Sequence, residues 1–195
     1  LTAQLAFLKN QINPHFLFNS LNSIYFLVEK SPEKAKDLIS NFSEVLSHLL
    51  YESKGKYVSL SKELEYLDNY VELERVRQGE VVKFNSKIEA PGNIQVPPLI
   101  ITTIVENAFK HGFNSGLDNY SIDFYILSDE KFLTIECRNS FKRLNDNNKN
   151  AKGIGLKNLK RRLDLLYYNQ YKLIIEDEEP MFIVKLRIPI KNELD

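Results

Sequence analysis

Residues 96–112 read VPPLIITTIVENAFKHG. Val96-Pro97-Pro98 introduces a helix. The residues after the prolines have helical spacing, which predicts a helix over residues 99–111 closed by Gly112. Val105, Ala108 and Phe109 share a face suited to packing on a sheet. Glu106, Asn107, Lys110 and His111 fill the remaining arc, with Glu106 facing Lys110 one turn on. A carboxylate, an amide oxygen and a cation grouped in this way could hold Mg²⁺ and phosphate oxygens. The same residues also make an ordinary salt-laced helix face, and the local chemistry leaves both readings open.

Working outward, the pattern differs on the two sides of residue 80. Ahead of it the spacing is helical. Leu5, Leu8 and Ile12, then Leu17, Leu21, Ile24 and Val28, form one stripe. Pro14 either opens a new helix capped by Asn13 or kinks a continuous one. Ser31-Pro32-Glu33 restarts the chain into a second helix over residues 32–51. A third follows the Ser59–Ser61 signal, carries Glu63 in its first turn, where its charge complements the helix dipole, and ends near Gly79. Beyond residue 80, strands are predicted over 81–88, 120–127, 132–138, 171–177 and 181–188, with a turn at 90–93. A polar loop spans 139–152, and Gly153 starts a helix through Leu156, Leu159, Leu163 and Leu166. The expectation is an α+β chain in two parts: helices over 1–79, then over 80–195 helices against an antiparallel-dominated sheet of about five strands.

Composition narrows the function. The chain has 195 residues, 43% of them apolar, and its 26 basic and 26 acidic side chains cancel, which points away from a broadly basic nucleic-acid surface. One cysteine, Cys137, excludes an internal disulfide, and three histidines without a CxxC pair argue against structural zinc. No run reaches the roughly 18 apolar residues that span a bilayer. A start at Leu1, without an initiator methionine and already in helical pattern, reads as a trimmed fragment.

Two further motifs carry chemistry. Gly153-Ile154-Gly155-Leu156 lies between the polar loop and a helix, where backbone N–H groups can meet phosphate; Arg161 and Arg162 follow two turns later. A turn with a helix start explains that GxG equally well. In QINPHFLFNSLNSI, residues 11–24, His15, Asn19 and Asn22 share one helical face while Leu17, Leu21, Ile24 and Val28 occupy another. The imidazole sits beside the core stripe rather than in it, so it is either presented as a nucleophile or satisfied in a partly buried position. His48, among Val45, Leu46, Leu49 and Leu50, is assigned no chemistry.

Taken together and in this order, QINPHFLFNSLNSI, VPPLIITTIVENAFKHG and GIGLKNLKRRLDLLY resemble the cytoplasmic kinase core of the LytS-like sensor histidine kinases, over residues 4–190. The resemblance implies a helical dimerisation and phosphoacceptor bundle ahead of a GHKL-type ATP-binding α/β sandwich with a mixed, mostly antiparallel sheet. It implies His15 as the phosphorylated residue, Asn107 as a Mg²⁺ ligand in the nucleotide box, and Glu106 as the neighbouring base-like residue. Lys110 and His111 fall where phosphate and ribose are contacted, and Gly153 and Gly155 match the second glycine box. The implied cofactors are ATP and Mg²⁺. The implied partners are a second copy of the chain and an aspartate-bearing response regulator, often of LytTR type, with no direct nucleic acid. The implied location is cytoplasmic, in a membrane-anchored parent. One departure is visible: where such domains carry Asp-x-Gly after the central strand, this chain has Asn139 and Phe141. The alternative expectation is therefore a non-catalytic dimeric signalling scaffold with a degenerate nucleotide pocket.

Overall fold

The computed structural model describes residues 14–50, 55–113, 117–142 and 154–190. Helices α1 (Pro14–Lys30) and α2 (Pro32–Leu50) form a hairpin. Ser31 turns the chain: its N–H donates to the Leu27 carbonyl and its own carbonyl accepts from Ala35. The stretch ahead of Pro14 lies outside the described residues, as does Tyr51.

A two-residue strand β1 (Val58–Ser59) leads into α3 (Leu60–Gln78). The Ser59 hydroxyl caps α3 by accepting from the Lys62 N–H, and the first two helical N–H groups donate to the carbonyls of Ile94 and Gly92. At the far end Gly79 takes φ 71°, a left-handed conformation that a side chain disfavours, and its N–H returns to the Arg75 carbonyl. A 3₁₀ turn (Gly79–Val81) then feeds β2 (Val82–Glu89), followed by β3 (Gln95–Val96), α4 (Ile100–Phe113), β4 (Tyr120–Ser128), β5 (Phe132–Ser140), α5 (Ile154–Tyr167), β6 (Lys172–Glu178) and β7 (Met181–Pro189).

The main sheet runs β2-β4-β5-β7-β6, with β2 and β4 parallel and every other pair antiparallel. This is the mixed, mostly antiparallel sheet expected. One face alternates Ile122, Phe124 and Ile126 with Leu133, Ile135 and Cys137, and with Val184, Leu186 and Ile188, all buried beneath α4 and α5. The opposite face carries Asn85, Asp123, Glu136, Arg138 and Lys185, linked by hydrogen bonds and ion pairs. The result is a two-layer sandwich with one polar sheet face.

Two features differ from the sequence expectation. The β1–β3 ladder pairs Val58 with Val96 and Ser59 with Gln95, too few residues to leave a periodic signal. The expected break between residues 79 and 80 also runs through packed side chains. Leu60, Leu67, Tyr70 and Val71 of α3 belong to the sheet's core, while Tyr66 and Leu73 join Ile24, Leu38, Phe42, Val45 and Leu49 of the hairpin. α3 is thus buried on two sides.

Burial makes Tyr66, Tyr70, Tyr120 and Tyr167 hard to ionise: desolvation is the main cause pushing each phenol above its ordinary value of 10.0. A group whose folded pKa is raised stabilises the fold fully below its unfolded pKa and loses that contribution as pH rises. Above pH 10, ionisation of these four buried tyrosines is therefore expected only together with loss of helical circular dichroism. Full tyrosine ionisation with the helices intact would contradict this packing.

Candidate functional site

α4 arranges its polar residues on two strips. Asn107 and His111, four residues apart, lie on one; Glu106 and Lys110 lie on the next. The His111 ring stacks on Phe182 with centroids 4.5 Å apart and planes 10° apart. Phe182 lies on β7 directly opposite Asn139 of β5, and Phe141 meets the Phe182 ring edge-on at 6.0 Å. One end of the buried sheet face therefore gathers His111, Asn139, Phe141 and Phe182 beneath the last turn of α4.

Asn139 corrects one expectation. The polar loop was to begin there, but β5 continues through Ser140 and Asn139 is 1% exposed on the strand's core side. Its Nδ2 donates to the Ser140 carbonyl at 3.2 Å, while Oδ1 is buried with no hydrogen-bond partner among the described residues. Asn107 likewise buries its Nδ2 without a partner there. Orphaned buried amide atoms are costly, roughly 1–3 kcal/mol each, and call for a ligand, water or ion. The donor set fits a nucleotide and its cation: an acceptor at Asn139 for an exocyclic amine, and an amide at Asn107 whose rotation offers either oxygen or nitrogen.

Glu106 takes a different direction. Its charge helps to raise the Tyr66 and Tyr70 phenols, which places its carboxylate toward α3. Tyr70 is also where α1 docks: the Phe16 ring stacks on it at 5.2 Å, and Tyr70 in turn meets Phe109 of α4 edge-on at 6.0 Å. The residue after His15 thus touches a side chain that senses Glu106. His15 itself is in the first turn of α1, and its side chain lies outside the described residues. Lys110 is exposed.

Gly155 stands in the first turn of α5, and a Cβ there would meet nothing within 4 Å. Packing does not demand this glycine; open space above the N–H groups of a helix start suits a phosphate. Gly153 and residues 143–152 of the expected loop lie outside the described residues. Arg162 departs from its expected role as a source of potential for phosphate. Its Nη1 donates to the Pro98 carbonyl at 2.6 Å, and burial lowers its pKa. Two cavities among the described residues lie elsewhere, one of about 120 Å³ between α2 and α3 and an open one beside Lys83, Ser121 and Ser140. The orphaned amides and the strand-end geometry therefore locate the candidate site better than cavity volume does. No group of His, Cys, Asp and Glu able to hold a metal on its own occurs among the described residues, so a cation here would need phosphate oxygens as further ligands.

Phe16, Tyr70 and Phe182 were missed as parts of the site because aromatic residues at helical or strand spacing read as core. Only the register of β5 against β7 reveals that Phe182 backs Asn139.

A family model described as histidine kinase matches residues 3–82. The sensor protein LytS of Staphylococcus haemolyticus is 31% identical over 199 residues, covering 96% of this chain and 34% of its own length. The sensor histidine kinase YpdA of Escherichia coli is 30% identical over 173 residues, covering 85% of this chain and 31% of its own length. The chain thus spans about a third of the length of these relatives. Among solved structures, the histidine kinase domain of a blue-light activated kinase from Erythrobacter litoralis EL346 superimposes with a TM-score of 0.52 at 14% identity, covering 96% of this chain and 94% of that one. The catalytic domain of histidine kinase ThkA gives 0.51 at 15% identity, covering 70% of this chain and 97% of that one. These likenesses concern the fold.

Proposed function

We propose that the chain is a LytS-like sensor histidine kinase core, as its similarity to these relatives supports, and that it moves the γ-phosphoryl group of ATP to His15. Neutral imidazole nitrogen attacks the γ-phosphorus, the bond to the β,γ-bridging oxygen breaks, and ADP leaves. Asn107 and the Gly153–Gly155 segment would hold the nucleotide's phosphates and Mg²⁺, with Lys110 and His111 beside them. The cation, when bound, neutralises phosphate charge. Asn139 would accept from the base through Oδ1, without the charge assistance a carboxylate gives. Glu106 would act near the imidazole. The phosphoryl group would then pass to an aspartate of a response regulator, by family resemblance one of LytTR type.

The observation that carries this reading is the chain of contacts Phe16–Tyr70–Phe109 with Glu106 beside Tyr70, which ties the His15 segment to the helix bearing Asn107. Phe18, Leu21, Tyr25 and Phe26 of α1 are each at least half exposed, a surface suited to a second copy of the chain in a four-helix bundle. We place the functional division ahead of Val58 rather than at residues 79 and 80, since α3 is packed into the sheet's core. No described helix is long and apolar enough to cross a membrane, and a membrane-anchored parent with a cytoplasmic kinase part remains a proposal drawn from the relatives.

One observation favours a second reading. Phe141 is 6% exposed where the resemblance implies a glycine, and with Phe182 and His111 it fills the strand end with rings. A dimeric scaffold without nucleotide binding would tolerate that. Calorimetry separates the two. The kinase reading expects Mg²⁺-dependent binding of ATP that Asn107→Ala weakens at least roughly tenfold, the loss of one charge-assisted contact. A wild-type chain showing no Mg²⁺-dependent binding would overturn the kinase reading and leave the scaffold.

A further inference from the structure

Glu63 was expected to serve only the helix dipole, yet it is 0% exposed. A carboxylate removed so completely from water needs specific partners. Its Oε1 accepts the Leu99 N–H at 2.6 Å and lies 3.4 Å from Nε2 of His48, in the last turn of α2. His48 is itself buried and stacked on Tyr66.

Leu99 is the residue on which α4 starts. It sits at φ 61°, a conformation that a leucine holds only when its surroundings impose it. Its carbonyl accepts from both the N–H and the hydroxyl of Thr103, while its N–H is held by Glu63. One residue back, the Pro98 carbonyl accepts from Arg162 of α5, whose guanidinium also feels the Glu63 charge. Arg162 lies seven residues beyond Gly155. A continuous polar path therefore runs from α2 through Glu63 to the start of α4 and, by Arg162, to the middle of α5.

We propose that Glu63 is a positioning residue, coupling the last turn of α2 to the first turn of α4 and to α5 so that a shift of the helical hairpin is felt along α5, the helix that carries Gly155. The consequence for activity rests on the nucleotide-site reading; the coupling itself does not. Capping Leu99 alone would need only a neutral acceptor. What a carboxylate adds is a negative charge 3.4 Å from Nε2 of His48 and felt by Arg162.

The test is hydrogen-exchange mass spectrometry on the full chain without nucleotide, in a cycle of wild type, His48→Gln, Glu63→Gln and the double variant. Glutamine at position 63 retains an acceptor for Leu99 while losing the charge. His48→Gln is expected to raise exchange about threefold in residues 99–103 and 154–167, and to change neither segment once Glu63→Gln is present. Changes confined to α2 and α3, or equally large in both backgrounds, would overturn the proposal. Should Glu63→Gln not fold, Arg162→Gln takes its place: it should silence residues 154–167 while 99–103 still respond, and an unchanged response in 154–167 would be equally fatal. If wild type binds no nucleotide, the kinase reading fails while this result still stands on its own.

Discussion

Gly112→Ala is expected to destabilise the protein by about 3 kcal/mol, combining overpacking with a lost buried hydrogen bond. A Cβ at position 112 would lie 2.2 Å from both Cδ2 and Cε2 of Tyr120, far inside van der Waals contact. The ring cannot easily withdraw. Tyr120 is 4% exposed at the start of β4, and its hydroxyl donates to Oε1 of Gln78. Gln78 in turn donates to Glu74, a carboxylate buried at the end of α3 and also paired with Arg77. Moving Tyr120 would leave that cluster short of a donor. Urea denaturation measures the effect as a lowered midpoint at unchanged slope. A loss below about 0.5 kcal/mol would mean that α4 does not press on β4 here.

His15→Gln is expected to remove all protein phosphorylation while leaving nucleotide affinity unchanged. The substitution keeps a polar side chain in the first turn of α1 but removes the only imidazole on the segment that Phe16 fixes to Tyr70. Glutamine's amide nitrogen is not nucleophilic, so no phosphoryl acceptor remains there. The proposed nucleotide residues, Asn107, His111, Asn139 and Gly155, lie on α4, β5 and α5, and none depends on position 15 for its described contacts. The two readouts must therefore separate. Joint loss of binding and phosphorylation would place His15 in the nucleotide site instead of beside it.

Much of this was legible in the residues. The α4 arc, the Ser59 cap, the Gly79 stop and the alternating strands were each written in local chemistry, and the mixed sheet followed from the family resemblance. The hidden features involve residues whose role depends on a partner distant in sequence. Gly112 reads as a helix stop but is a close-approach residue, because α4 runs on through Phe113 and Tyr120 crosses beneath it. Asn139 reads as the first residue of a polar loop, since an amide rarely continues a buried strand; β7 pairing draws it inward. Glu63 and His48 belong to different helices, and no periodicity predicts that a first-turn acid will be fully buried. α3 carries buried Glu63, Glu74 and Gln78 among its apolar residues, so its two-sided packing blurs the amphipathic pattern by which a helix is usually placed.

His15 is proposed to take phosphate from a nucleotide held near Asn107. The most direct measurement is incubation of the wild-type chain with Mg²⁺ and ATP labelled at the γ-position, followed by acid and alkali treatment of the isolated protein. Covalent label is expected that is lost in acid, survives alkali, and maps to the peptide containing His15. No label, or label on another residue, would contradict it.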